Sequence, residues 1–134
     1  MNATDEYLME WIHKAEEDYE TAITMIRKRK RPTPSTVCFH CQQCVEKYLK
    51  AFLVQRDVTF SRIHDLRELR RLVMEVDPTF DLITDLLLRL NPYAVEVRYP
   101  GEQATVEEAR EAVAAMRTVR RLVRGKLGLL ESER

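Results

Sequence analysis

The stretch from Ser35 to Gln55, STVCFHCQQCVEKYLKAFLVQ, constrains the fold more than any other part of this chain. Wound at about a hundred degrees per residue, it places Val37, Cys38, Cys41, Cys44, Val45, Tyr48, Leu49 and Phe52 on one continuous face. That face is wider than an ordinary amphipathic stripe. The opposite side carries Gln42, Gln43, Glu46, Lys47 and Lys50, with Phe39 and Val54 set among them. A helix that is apolar on most sides runs through the middle of a bundle or lies beneath a second subunit. We read it as the central helix.

Its neighbours in sequence supply helices to pack on it. A first helix is expected from about Thr4 to Arg29, with Thr4 as N-cap, Asp5 and Glu6 in the first turn, and a helical apolar period from Leu8 to Ile26. The basic run Arg27 to Arg31 falls at its end, where the helix dipole favours cations. That run can grip phosphate, or it is a solvated helix end. Pro32 and Pro34 break the chain, leaving Thr33 as N-cap of the central helix, which ends near Asp57. After the short connection Thr59 to Ile63, Asp65 and Glu68 form a capping-box-like pair for a third helix reaching about Glu75. Pro78 opens a leucine-dense fourth helix to Leu90, and Asn91-Pro92 stops or kinks it.

Tyr93 to Gln103 has no helical period and two breakers, yet Tyr93, Arg98 and Tyr99 suit a packed segment. Thr105 with Glu108 is a capping box for the last helix, with core positions Ala109, Ala112, Val113, Met116, Val119 and Val123. The expected fold is all-α, an up-and-down bundle of four main helices and a fifth. Residues 1–128 form one domain, and the tail 129–134 frays.

Three glycines, five prolines and a charged third of the chain agree with a helical bundle. With 22 basic and 22 acidic residues there is no global attraction to nucleic acid, so any electrostatic site is local. No apolar run approaches the roughly 18 residues of a membrane span. The polar N-terminus does not read as a signal peptide, and an odd number of cysteines on one helix points to a reducing cytoplasm.

Within the central stretch, Cys38, Phe39, Gln42, Gln43, Glu46, Lys47, Leu49, Lys50 and Ala51, followed by His64-Asp65-Leu66, carry a resemblance to the HEPN family of prokaryotic helical domains. Arg98-Tyr99-Pro100 resembles that family's Arg-Tyr-Pro element after the fourth helix. The resemblance implies a HEPN module of a two-gene, toxin–antitoxin-type cassette. Its partner would be a minimal nucleotidyltransferase and its ligand a nucleotide or RNA. A second implication is a metal-independent ribonuclease toxin, and a third is a structural dimerisation module.

The ribonuclease chemistry needs a histidine to move the 2′-hydroxyl proton and an arginine to hold the phosphorane charge. HEPN ribonucleases place them as an arginine and a histidine with four to six residues between. Here the nearest arginines upstream of His64 are Arg62, with one residue between, and Arg56, with seven between. The motif is absent as written, so a nuclease would use displaced residues, His64 with Arg56 or Arg98. The helix dipole beside His64 favours a neutral imidazole, whereas Asp65 favours the charged form.

The strip His40, Gln43, Lys47 and Lys50 lines up at helical spacing. With Arg98 and Tyr99 it is the candidate nucleotide or RNA surface. Alternatively it is an exposed face whose Glu46–Lys50 pair adds tenths of a kcal/mol. Gln42 and Gln43 suit a structural role, bonding backbone in the Tyr93 to Pro100 loop.

Arg117, Arg120, Arg121 and Arg124 form a cationic stripe that could track phosphates or be a solvated, paired face. Cys38, Cys41 and Cys44 invite a metal, but on a helix the first and last point about 120° apart and a fourth ligand is lacking. We expect buried, reduced thiols, no metal and no cofactor. Phe39, Val54 and the surplus leucines of the fourth helix predict a homodimer.

Overall fold

The computed structural model describes residues 2–95 and 99–129. They form helices α1 (Ala3–Ile26), α2 (Pro34–Gln55), α3 (Leu66–Val76), α4 (Thr84–Leu90) and α5 (Val106–Leu127), with 3-10 turns at Pro78–Ile83 and Asn91–Ala94. There is no strand among the described residues, and no helix is long and apolar enough to cross a membrane. The fold is the all-helical bundle expected.

α2 is the central helix and touches each of the other four. Val37, Cys38, Cys41, Cys44, Val45, Tyr48, Leu49 and Phe52 are all buried. α1 lies antiparallel to it, with Trp11 beside Lys50 and Asp18 beside Lys47. α5 runs parallel to α2, from the Ser35 end, where its leading Ala104 N–H donates to Ser35 Oγ, to the Gln55 end, where Gln55 donates to the Leu127 carbonyl. All six core positions assigned to the last helix are buried, and Thr105 and Glu108 close its capping box. Gly128, at φ 78°, ends it in the left-handed region.

The structure moves several boundaries. Asn2, not Thr4, caps α1, trading hydrogen bonds with Asp5 in a capping box. α1 stops at Ile26, so the basic run lies beyond the helix and not in its last turn. Arg31 at φ 49° and the prolines that follow cannot continue a helix. Asp65 caps α3 through the Arg67 N–H, but Glu68 turns forward to Arg71 and leaves the box half made. The fourth helix begins as a 3-10 turn, with Asp77 capping at Thr79. The frayed tail assigned to 129–134 lies, past Leu129, outside the described residues. Leu129 itself packs against the core.

After α2 the chain does not cross the end of the bundle directly. Asp57, at φ 58°, turns it back, and residues 56–65 climb alongside α2. Phe60 packs edge-on against Trp11 at 6.0 Å between ring centres, and His64 arrives level with Gln42 and Glu46. α3 then descends and α4 returns, so that Asn91 meets the start of α3: its side chain accepts from the Leu66 N–H and donates to Asp65.

Candidate functional site

The strip His40, Gln43, Lys47 and Lys50 was expected to be an exposed face, and Gln42 with Gln43 to bond the Tyr93 to Pro100 loop. His40, Gln43 and Lys47 are half-buried, and Lys50 is buried. Gln42, Glu46 and Lys50, four residues apart, are buried beneath the climbing segment. Among the described residues, the Gln42 amide donates to the backbone carbonyl of His64 at 3.2 Å and to Glu46, while Gln43 donates to Gln42. The glutamines therefore brace the His64 segment. The Glu46–Lys50 pair forms at 3.1 Å, with side chains only 3% and 5% exposed, so it is an interior ion pair and not a surface one. Lys50 also sits 5.4 Å from the Trp11 ring centre and 5.9 Å from that of Phe60, which stabilises its charge away from water.

His64 stands on this buried group. Its Nδ1 lies 3.2 Å from Glu46 Oε2 and 3.3 Å from Oε1, yet its side chain is 69% exposed. A carboxylate held by Lys50 and Gln42 thus fixes one face of the imidazole. With Nδ1 turned to Glu46, Nε2 is the nitrogen left for a ligand. Neither Asp65 nor Asn91 bonds the ring; they tie the next residues into the start of α3.

The displaced arginines do not complete a catalytic pair among the described residues. Arg56 is exposed and lies over the Phe52 ring at 4.6 Å. Among the described residues, no arginine bonds to His64. Arg98 lies outside the described residues. Tyr99 is 74% exposed, at the edge of a turn in which the Glu102 N–H donates to its carbonyl.

His40 and Lys47 face another direction from His64. Both engage Asp18 of α1, His40 through Nδ1 at 2.8 Å and Lys47 through its ammonium, in a half-buried cluster. Next to it, Glu16 receives two hydrogen bonds from Arg120, at 2.8 and 2.6 Å, and one from the Tyr48 hydroxyl. Arg124 donates to that hydroxyl at 3.1 Å. Burial pushes the Glu16 carboxyl up, but the bonds from Arg120 and Tyr48 and the charges of Arg120 and Arg124 outweigh it and hold it below the usual range. The cationic stripe of α5 therefore divides: Arg120 and Arg124 turn inward, while Arg117 and Arg121 remain exposed.

The three cysteines are buried and unbridged. Burial raises the Cys41 and Cys44 thiols well above their ordinary value. Among the described residues, no three His, Cys, Asp or Glu side chains gather as metal ligands. Val54, expected on an exposed patch, is covered, whereas Leu82 at 81% exposure and Leu88 stand out from the fourth-helix region.

Reasoning from sequence missed Glu46 as the support of His64, and Asp18 as the shared partner of His40 and Lys47. The signal was there for Glu46. Gln42, Glu46 and Lys50 sit at successive helical turns of a helix whose other faces were already assigned to the core.

Comparison with known proteins gives the arrangement a context. The sequence profile of the HEPN domain matches residues 8–126. The chain is 28% identical over 123 residues to a Methanocaldococcus jannaschii protein named "Putative toxin MJ1304", covering 80% of this chain and 79% of that one. In structure it is similar to ST0689, described as an archaeal HEPN homologue, with a TM-score of 0.71 at 24% identity over 90% of this chain and 97% of the other.

Proposed function

The chain belongs to the HEPN domain family, and on that premise we propose that it is the HEPN module of a toxin–antitoxin-type cassette, binding a nucleotide or RNA and a nucleotidyltransferase partner in the cytoplasm. The relative named as a toxin, matched over about four fifths of both chains, supports the cassette. The observation that carries the ligand reading is His64: an outward imidazole on a buried carboxylate, with no arginine bonded to it among the described residues. Such a histidine donates to or accepts from a ligand oxygen. Among the described residues no cation is bonded to it of the kind that phosphorane stabilisation needs within one chain.

A second reading, a metal-independent ribonuclease, is favoured by one specific feature. Glu46 orients Nδ1 of His64 as the acidic member of a catalytic dyad does, leaving Nε2 for a 2′-hydroxyl. The two readings separate in one experiment. The pure protein is incubated with total RNA in excess EDTA, alone and with His64→Ala, while RNA binding is followed by fluorescence anisotropy. The module reading expects binding that weakens in His64→Ala with little cleavage. Rapid cleavage lost in His64→Ala establishes the nuclease instead. No binding of RNA or nucleotide and no complex with a co-expressed nucleotidyltransferase would sink the first reading.

A further inference from the structure

The climbing segment is fastened at its two ends and hardly between them. At its start the Asp57 and Val58 amides donate to the Val54 and Leu53 carbonyls and close off α2. At its end Asp65 accepts from the Arg67 amide and the Asn91 side chain, and the Leu66 amide donates to Asn91. In between, no backbone amide of residues 59–64 donates a hydrogen bond among the described residues. Thr59, Ser61, Arg62 and His64 are exposed. The segment therefore meets the bundle through Val58, Phe60 and Ile63, the His64 carbonyl and one edge of the His64 ring. A crevice of about 280 Å³, lined by Tyr7, Val54, Val58 and Phe60 among others, opens beside its first residues.

What the segment covers is largely polar. Gln42, Glu46 and Lys50 are buried, and the Trp11 indole that receives Phe60 has its Nε1 buried with no hydrogen-bond partner among the described residues. Covering such groups returns little hydrophobic free energy, because water solvates them well. Opening hydrates the Lys50 ammonium, the Glu46 carboxylate and the indole N–H. It gives up three partly buried apolar side chains, the bond from Gln42 and the contact of His64 with Glu46. Few apolar contacts and unbonded backbone mark a unit that opens locally while the rest stays folded. One hinge is already visible: Asp57, at φ 58°, occupies a region that costs free energy for any residue but glycine.

We propose that residues 58–64 are a strap that swings about Asp57 and Asp65 as one unit, with the helices still packed, and that the swing sets and releases His64. Closed, Gln42 holds the His64 carbonyl and Glu46 holds Nδ1. Open, Glu46 keeps Lys50, which lies one turn along the same helix, and loses the imidazole. The strap thus governs the orientation of His64 whether that ring binds a ligand or moves a proton.

The test compares two buried groups of α2 in the full chain. Lys50 lies under the strap, whereas Cys44 lies on the face towards Glu16 and Arg120. Acylation of the Lys50 amine by an N-hydroxysuccinimide ester and alkylation of the Cys44 thiol by iodoacetamide are followed by peptide mass spectrometry. Each rate is divided into that of the urea-unfolded chain to give a protection factor. Lys50 should be protected at least about tenfold less than Cys44, because its opening leaves the bundle intact. Val119→Ala, a buried change in α5, should lower the protection of Cys44 about tenfold or more and leave that of Lys50 unchanged. Phe60→Ala should lower the protection of Lys50 about tenfold. His64→Ala deletes a contact made only in the closed state and should lower it about threefold. Circular dichroism checks that the variants fold, and the wild-type comparison stands if one does not.

Equal protection of Lys50 and Cys44 in the wild type, falling together in Val119→Ala, would mean that Lys50 is reached only by global unfolding and would overturn the strap. Phe60→Ala without effect on Lys50 would overturn it as well, since the amine would then react with the segment in place. No change at Lys50 in His64→Ala would sever His64 from the movement and overturn its role as the group that is set and released.

Discussion

Glu46→Gln is the substitution from which most can be learned, because it changes charge and almost nothing else. The carboxylate is 3% exposed and is shared by the Lys50 ammonium, the Gln42 amide and the His64 imidazole. Neutralising it leaves Lys50, 5% exposed, as a buried cation without a counter-ion. Losing one partner of a buried pair costs about 3–5 kcal/mol. The rings of Trp11 and Phe60 keep part of the stabilisation of the ammonium, on the order of 1 kcal/mol. The expected loss is therefore about 3 kcal/mol, or roughly 10 °C in Tm for a domain of this size.

Urea denaturation followed by circular dichroism measures the loss directly. The double variant Glu46→Gln/Lys50→Met removes the orphaned charge and should recover about 2 kcal/mol of it. A single variant within about 0.5 kcal/mol of wild type would refute the reasoning, because the pair would then be solvated and the burial assigned to it wrong. A double variant no better than the single would show that the penalty comes from Gln42 or His64 and not from Lys50.

Other perturbations follow from the same structure. His64→Ala should keep the fold and cost about 1 kcal/mol or less, since the ring is mostly exposed and loses one hydrogen bond; a collapsed thermal transition would contradict this. Asp77 is drawn down to about 2 by hydrogen bonds from Lys126 and Thr79. Its folded value lies below the ordinary 3.8, so its contribution is complete above pH 3.8 and disappears as pH falls through about 2. Lys126→Ala should flatten the acid limb of the stability curve in that window. Cys41 and Cys44, buried with raised thiol values, should resist alkylation in native buffer and react only on unfolding, read by mass spectrometry. Light scattering should give twice the 15.8 kDa chain mass, and Leu82→Asp should halve that without unfolding the chain, because Leu82 is an exposed apolar side chain.

The architecture could be read from the sequence because period and caps agreed. The broad apolar face of α2, the Thr105 and Glu108 box and the core positions of α5 follow from helical spacing alone. The site was less legible, since its polar residues are paired across long sequence separations. Glu46 with Lys50 is a surface pair in most helices, and only the climb of residues 56–65 buries it. That climb depends on Asp57 in the left-handed region, which composition does not announce. Likewise the stripe of α5 shows its spacing but not its direction: Arg120 turns inward because Glu16, on the far side of the chain, is there to receive it.

The sequence separation of 104 between Glu16 and Arg120 bears on how the protein is made. During synthesis α1 and α2 emerge first and can pair as a helical hairpin, with Tyr48 reaching Glu16 at once. The carboxylate then waits for its arginine until α5 leaves the ribosome, and Tyr48, Cys44 and their neighbours remain uncovered on that side. A nascent chain halted before α5 would present an unfinished apolar face to chaperones and proteases. Completion of the last helix closes that face in a single step. Abundance in the cell should therefore be more sensitive to lesions in α5 than to equally destabilising ones in the climbing segment.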